Sequence, residues 1–459
     1  MDTPGTAANP LRVAVVGAGP SGFYAAEALL KSGQNVRVDM IERLPAPFGL
    51  VRYGVAPDHP KLKEAILVYS VIARLPHFDL LGNVTVGRDL KVDELRANYH
   101  GVIFACGAET DRHLGIPGED LPGSHTATEF VAWYNGHPDY RERSFDLSAE
   151  VVVIVGQGNV AADVCRVLAK SVDELKTTDI AEHSLNALAA SRVREIHVIG
   201  RRSAAQAKFT NKELKELGEL PSCDAIVDPQ DMQLNAESLA ELEIKSNYVS
   251  AKNVEIFRSF AARGPTGKPR RIFFHFLESP VAIKGNARIE QLVLARNRLE
   301  GVPMQQVARE SGETKLLRCA LLFRSIGYSG VPIPGVPFDA RRGVFPTQDG
   351  RIVEGGAVIT GFYAAGWIKR GPTGIIGTNR ADSIATVKSL LADLPHLAPE
   401  AKAGAEGLKP LLMARRVRAV SLDDWLKIDA AEVARGQPKG KPREKFTRVA
   451  EMLKCLDGS

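Results

Sequence analysis

"LRVAVVGAGPSGFYAAEALLKSGQNVRVDMIE", residues 11–42, decides how this chain folds. It reads as a strand over 11–16, a glycine turn, a helix over 20–32 and a second strand over 35–41. The run that follows Arg12 is β-branched and apolar, the pattern of a parallel strand covered on both faces. Ala25, Ala26, Ala28, Leu29 and Leu30 give the helix a face of small and apolar residues. Gly17, Gly19 and Gly22 form G-x-G-x-x-G between strand and helix. In that setting the first glycine permits a tight turn, the second lets a pyrophosphate approach the backbone, and the third lets helix and strand pack closely. The helix N-terminus adds free N–H groups and partial positive charge. Glu42 ends the second strand, where a carboxylate accepts hydrogen bonds from ribose hydroxyls. The unit therefore reads as dinucleotide-binding, against the plainer alternative of a structural glycine turn.

The same device returns downstream. "VVVIVGQGNVAADVCRVLAKS" (151–171) is strand, glycine turn and helix, with Gly156, Gly158 and Ala161 as G-x-G-x-x-A. A polar, helix-favouring insertion (172–192) precedes the strand "REIHVIG" (194–200). This strand runs on into Arg201, Arg202 and Ser203 rather than an acid. A carboxylate would repel a 2′-phosphate on the adenosine ribose, whereas two guanidiniums and a hydroxyl would bind it. The acidic tip suits the free 2′-hydroxyl of FAD, and the arginine tip suits NADPH. The competing reading of Arg201 and Arg202 is a pair of surface cations on a loop.

Between the units lies "GVIFACGAE" (101–109), a strand entering a turn, followed by the Pro/Gly-rich crossover "LGIPGEDLPG" (114–123). A second crossover is "GYSGVPIPGVPF" (327–338), and residues 358–394 return to strand, glycine-rich turn and helix. Pro/Gly clusters of this kind punctuate domains. The expected architecture is α/β, with two Rossmann-like dinucleotide-binding domains. An FAD domain is formed by residues 1–108 and 335–459, and an NADP domain, residues 109–334, is inserted into it.

Length and composition agree. A chain of 459 residues exceeds one ordinary core. It is 44% hydrophobic and 25% charged, as soluble globular proteins are. No stretch approaches the roughly 18 consecutive apolar residues of a membrane span. The first twelve residues lack both an apolar h-region and an Arg-rich leader. The expected location is therefore cytoplasmic, or the chain is an already processed form. The five cysteines are Cys106, Cys165, Cys223, Cys319 and Cys455, and they form no C-x-x-C pair. That disfavours a local dithiol centre and a Cys-rich metal module, so buried thiols and no bound metal are expected.

Several longer stretches carry a family resemblance. "FGLVRYGVAPDHPKLK" (48–63), "GQGNVAADVCR" (156–166), "GRRSAAQAKFTNKELKEL" (200–217) and "YAAGWIKRGPTGIIGTNRADS" (363–383) resemble the adrenodoxin reductase-like NADPH–ferredoxin reductases, as does the C-terminal stretch 425–453. Cys106 and the stretch 222–275 depart from the family pattern. The resemblance implies a glutathione reductase-like fold and the activity of a ferredoxin–NADP(+) reductase. It also implies FAD contacts at Ala18, Glu42, Leu50, Val86, Trp367, Gly374, Ile375 and Ile376. The NADP contacts it implies are Gln157, Gly158, Asn159, Val160, Arg201, Arg202, Glu213 and Gly374.

His59 and Glu213 are implied as a pair facing the nicotinamide region, orienting the carboxamide or relaying a proton in a modulatory role. Lys369 and Arg370 face either FAD, the partner or solvent. The expected partner is an acidic ferredoxin or adrenodoxin-type iron–sulfur protein; nucleic acid is not expected, and the chain is expected to be a monomer. The acid-free window 256–277, with Arg258, Arg263, Lys268, Arg270 and Arg271, is either a docking surface for that partner or a basic hairpin. Three other readings remain. A flavin disulfide reductase ordinarily needs a close cysteine pair. An electron-input subunit of a larger synthase usually carries Cys-rich segments. A nucleotide sensor would show no turnover.

Overall fold

The computed structural model describes residues 3–374 and 376–458, so Ile375 lies outside the described residues. Strands β1 (Leu11–Val16), β2 (Val36–Ile41), β3 (Phe78–Leu81) and β4 (Gly101–Phe104) belong to a seven-stranded sheet. That sheet is completed by β16 (Thr347–Gln348), β17 (Arg351–Glu354) and β18 (Ala357–Ala364), in the order β16-β17-β18-β4-β1-β2-β3. β1 pairs in parallel with β2 and β4, which makes it central, and Leu11, Val13, Ala14 and Val15 are fully buried. This is the consequence of its uninterrupted apolar run. The first helix, Pro20–Leu30, ends two residues earlier than the spacing predicts.

The second sheet is parallel throughout, in the order β6-β14-β7-β8-β10-β9. Its strands are β6 (Ser124–Thr126), β7 (Val151–Val155), β8 (Glu195–Ile199), β9 (Cys223–Val227), β10 (Arg270–His275) and β14 (Leu321–Arg324). All lie between the two blocks that build the first sheet, so one nucleotide fold is inserted into the other. Where the chain crosses, β5 (Thr110–Asp111) pairs antiparallel with β15 (Tyr328–Ser329). A three-stranded antiparallel sheet, β11 (Glu278–Lys284), β12 (Gln291–Glu300) and β13 (Val307–Arg318), completes the inserted part. The insertion 172–192 forms two short helices, Val172–Leu175 and Glu182–Ala189.

The basic window is not a hairpin. Residues 256–263 finish the helix Tyr248–Arg263, and β10 lies inside the sheet between β8 and β9. Ile272 and Phe274 face the core at 0% and 2% exposure. The cations hold the frame. Arg263 donates to the Gly218 carbonyl, Lys268 to Leu220, and Arg270 to Ala169 at 3.0 Å. Arg271 pairs with Glu195 at 2.8 Å. Four of the five are thus anchored within the domain, but only Arg271 has its charge paired among the described residues, and Arg258, Arg263 and Arg271 are exposed. The thiol expectation also needs correction. Cys165, Cys223 and Cys319 are buried, but Cys106 and Cys455 are half-buried.

The C-terminal segment fastens the two halves together. Lys441 Nζ donates to the Ile180 carbonyl at 2.6 Å, and Lys445 Nζ donates to the Asp179 carbonyl at 3.0 Å. Lys63, beside the conspicuous "APDHP" loop, pairs with the Asp179 carboxylate at 2.7 Å. These buried contacts set how the loop carrying His59 meets the inserted fold.

Candidate active site between two nucleotide cradles

At the first cradle the two close-packing glycine positions are sterically closed. A Cβ on Gly22 would lie 2.0 Å from the Gly17 carbonyl oxygen. Gly19 is different, because a Cβ there meets nothing within 4 Å, so the turn leaves room for a ligand against the backbone. Glu42 lies at the tip of β2, half-buried, accepting from the Ala18 amide at 2.9 Å and the Leu44 amide at 3.1 Å. Burial raises its carboxyl above the usual range, against the pull of the Ala18 amide. Gly17, Glu42 and Val86 line one cleft of ≈ 870 Å³, part of it open to solvent. Arg43, Arg88, Cys106 and Pro332–Pro334 also line it. These the sequence did not announce, since the proline segment comes from the far crossover. Burial pushes the Cys106 thiol up to about 12, so it stays protonated.

The other residues expected at FAD are spread more widely. Leu50 sits on the helix Gly49–Tyr53 and is exposed. Trp367 is half-buried, not a core residue. Its indole N–H donates to Thr373 O at 3.2 Å, and its ring stacks on Tyr328 with centroids 5.4 Å apart. Gly374 has φ +83°, and Ile376 opens the helix Ile376–Ala392. Lys369 and Arg370 are turned toward that helix. Lys369 pairs with Asp382 at 2.8 Å and Arg370 donates to Asn379 at 2.6 Å, so neither is a solvated cation.

The second cradle repeats the first. A Cβ on Gly156 would lie 2.1 Å from Ser325 O, and Gly156 has φ +128°, while a Cβ on Gly158 meets nothing within 4 Å. Ala161, standing in for the third glycine, is fully buried. Asn159 and Val160 open the helix Asn159–Ala169, but the Asn159 side chain is used internally and accepts from Thr210 N at 2.8 Å. Gln157 Nε2 donates to His275 O at 2.9 Å. Arg201 is exposed and Arg202 half-buried, and neither has a carboxylate within the 4.0 Å ion-pair distance among the described residues. Burial and the neighbouring Arg201 charge lower the pKa of Arg202. Two adjacent cations with no direct ion pair among the described residues fit a phosphate. Ser203 does not join them as expected. It is buried, caps the short 3₁₀ turn Ala204–Gln206, and donates to Gln206 at 2.7 Å.

Where the halves meet, His59 and Glu213 come together, with Nδ1 to Oε1 at 3.4 Å. His59 is held by the loop between Pro57 and Pro60, whose fixed φ stiffens it, and is 8% exposed. Glu213 lies on the helix Asn211–Leu217, whose first turn is tied to the glycine turn through Asn159 and Thr210. Five further residues complete the cluster, Asp58, Asp163, Arg166, Lys170 and Glu216. Arg166 is 1% exposed and donates to Asp58 at 2.6 Å, Asp163 at 2.6 Å and Glu213 at 3.0 Å. Glu216, one turn beyond Glu213, takes His59 Nε2 at 2.8 Å. Lys170 pairs with Asp58 at 2.8 Å. The i, i+3 spacing of Asp163 to Arg166 and of Glu213 to Glu216 was visible in the sequence. That both pairs point at one histidine was not.

Four carboxylates share this buried place with two cations, so one of them is driven toward neutrality. Burial, opposed by Arg166 and reinforced by Glu213, raises Asp163 to about 6, whereas Arg166 and Lys170 hold Asp58 far below the usual carboxylate range. A carboxyl raised in the fold binds a proton that the unfolded chain has lost. Stability from this group is full below the unfolded pKa, near 3.8, and is lost as pH rises through about 6. Asp163→Asn keeps an acceptor for Arg166 but cannot ionise. Between pH 4 and 7, denaturant unfolding of wild type and variant is expected to diverge by up to ~3 kcal/mol in the variant's favour. A difference that does not vary with pH would contradict this.

Two nucleotide cradles facing a shared charged seam are the arrangement of pyridine nucleotide-linked oxidoreductases. The sequence profile of the pyridine nucleotide-disulphide oxidoreductase family matches residues 11–218. NADPH-ferredoxin reductase FprA of Mycobacterium tuberculosis (strain ATCC 25618 / H37Rv) is 43% identical over 463 residues, covering 97% of this chain and 99% of the relative. NADPH:adrenodoxin oxidoreductase, mitochondrial, of Salvelinus fontinalis is 43% identical over 465 residues, covering 98% and 91%. Among solved structures, Mycobacterium tuberculosis FprA in complex with NADPH matches with a TM-score of 0.92 at 42% identity, over 98% of this chain and 100% of that one. The chain belongs to the adrenodoxin reductase-like NADPH–ferredoxin reductase family and is an oxidoreductase.

Proposed function

We propose that this chain is an FAD-dependent ferredoxin–NADP(+) reductase, moving hydride from NADPH to FAD and single electrons onward to an acidic ferredoxin or adrenodoxin-type iron–sulfur protein. The observation that carries this reading is the charge asymmetry of the two strand tips. Half-buried Glu42 stands at one, and Arg201 and Arg202, with no ion pair among the described residues, stand at the other. Open space over Gly19 and Gly158 supports pyrophosphate against both helix N-termini. Bound FAD supplies the conversion of a two-electron donor into one-electron deliveries.

The protein residues bind and orient. Gly17, Ala18, Gly19, Gly22, Glu42, Leu50, Val86, Trp367, Gly374 and Ile376 serve FAD; Gln157, Gly158, Asn159, Val160, Arg201, Arg202, Glu213 and Gly374 serve NADPH. His59 with its carboxylates manages a proton at the seam. Residues 1–108 and 335–459 form the FAD domain and 109–334 the NADP domain. The same reading makes the protein a cytoplasmic monomer. No helix among the described residues is long and apolar enough to cross a membrane. The disulfide-reductase alternative lacks support, because no two of the five cysteines are close in sequence.

The purified protein is expected to be yellow and to be bleached by NADPH. Ferredoxin-dependent cytochrome c reduction, driven by NADPH across a panel of ferredoxins, is expected to slow severalfold as salt is raised, because complementary charge steers the encounter. A colourless protein that cannot be reconstituted with FAD would reject the function. Salt-independent rates would reject the acidic partner alone.

A further inference from the structure

We infer that Glu216, rather than Glu213, is the positioning residue of His59, holding it as the Nε2–H tautomer and opening a proton exit to solvent. This deepens the proposed function and rests on it. His59 Nε2 lies 2.8 Å from Glu216 Oε2, which can only accept when ionised, so Nε2 carries the proton. Nδ1 lies 3.4 Å from Arg166 Nη2, a group with donors and no acceptor. Nδ1 therefore presents its lone pair. Glu213 Oε1 is also 3.4 Å from Nδ1, but two acceptors repel, and the other oxygen of Glu213 is taken by Arg166 Nη1 at 3.0 Å. Glu213 becomes a partner of His59 only after a proton has reached Nδ1.

The other charges facing the ring are Asp163, 4.0 Å from Nδ1, with Asp58 and Lys170 behind Arg166. Lys212 approaches Glu216 from the solvent side, at 3.7 Å. The two ends of the imidazole thus meet different surroundings. Nδ1 faces buried Arg166 and Glu213, and Nε2 faces Glu216, whose side chain is 28% exposed.

The stoichiometry of the proposed reaction requires such an exit. NADPH and two oxidised one-electron carriers give NADP⁺, two reduced carriers and one proton. A proton arriving at Nδ1 makes the imidazolium, stabilised by Glu213. The Nε2 proton then passes to Glu216 and on to water, leaving a neutral ring protonated at Nδ1; exchange of that proton through water to Nε2 restores the starting tautomer. No bond other than N–H and O–H changes in this relay. The role is modulatory, because water offers a slower parallel path.

The test uses holoenzyme labelled with ¹⁵N-histidine, the His59 resonances being assigned by their loss in His59→Gln. Wild type is expected to show His59 as the Nε2–H tautomer. Glu216→Ala is expected to show a mixture of tautomers. Glu216→Gln is expected to restore Nε2–H, because its amide oxygen still accepts. Glu213→Gln is expected to leave the tautomer unchanged. In NADPH-driven carrier reduction, Glu216→Ala is expected to lower kcat severalfold with KM for NADPH unchanged, well short of the ~10²–10⁴ of an obligatory acid–base group. Retention of Nε2–H in Glu216→Ala, or its loss in Glu213→Gln alone, overturns the assignment. A wild type that shows the Nε2–H tautomer yet does not oxidise NADPH would instead remove the proposed function and leave the tautomer assignment standing.

Discussion

Replacing Arg201 and Arg202 together by glutamine is expected to raise KM for NADPH by about 10²- to 10³-fold, while NADH oxidation stays within about twofold of wild type. Hydrogen bonds to a charged group are each worth roughly 1.5–3 kcal/mol, and each 1.4 kcal/mol is about a factor of ten. Arg201 is exposed, and two neighbouring cations share one phosphate, so the lower end of the sum applies. Both substitutions leave the backbone anchors of this loop in place. The Arg201 carbonyl accepts from Asn297 at 2.9 Å, and the Arg202 carbonyl accepts from Leu277 N at 3.0 Å. Steady-state oxidation of both nucleotides with ferricyanide as acceptor measures the ratio. An undiminished preference for NADPH would remove the assignment of this loop to the 2′-phosphate, and with it the main support for the function.

The second large effect separates the two cradles. Gly22→Ala places a Cβ 2.0 Å from the Gly17 carbonyl oxygen, a distance that neither backbone segment can yield without opening the helix–strand contact. The variant is expected to purify colourless, with flavin retention reduced at least about tenfold, since even a partial overlap costs ~1–3 kcal/mol. Gly156→Ala meets Ser325 O at 2.1 Å and adds a side chain at φ +128°. Its damage is confined to the inserted fold. It is expected to stay yellow yet resist bleaching by NADPH, and to be reducible by dithionite. Flavin absorbance before and after each reductant reads both outcomes. Loss of flavin from Gly156→Ala, with Gly22→Ala still yellow, would reverse the assignment of the cradles.

These contrasts show how much of the site was written locally. Each glycine turn and the residue at its strand tip belong to one strand–turn–helix–strand unit, 25 positions apart from Gly17 to Glu42 and 45 from Gly156 to Arg201. Periodicity and turn chemistry act over that range, so they were legible. Ser203 was misjudged because a hydroxyl following two arginines is equally suited to capping a turn, and only the 3₁₀ segment after it shows which role it takes. The basic window misled for a related reason. Arg270 and Arg271 directly precede the run from Ile272 to Phe274, and a strand buried between two others does not reveal from sequence which of its cations will satisfy carbonyls of neighbouring elements.

From the sequence alone, then, came two strand–turn–helix–strand units, the charge at each tip and the insertion of one unit into the other. Each follows from short-range sterics and from the burial of apolar runs. The His59–Glu213 pair was already implied by the family resemblance; the tertiary structure alone decided that Asp58, Asp163, Arg166 and Glu216 join it, and that Glu216 makes the closest contact with His59. Those groups come from a loop of one fold and two helices of the other. Their meeting depends on how the halves dock through Lys63, Asp179, Lys441 and Lys445. No local pattern encodes that docking, because it is set by which buried charges find partners once both cores have formed.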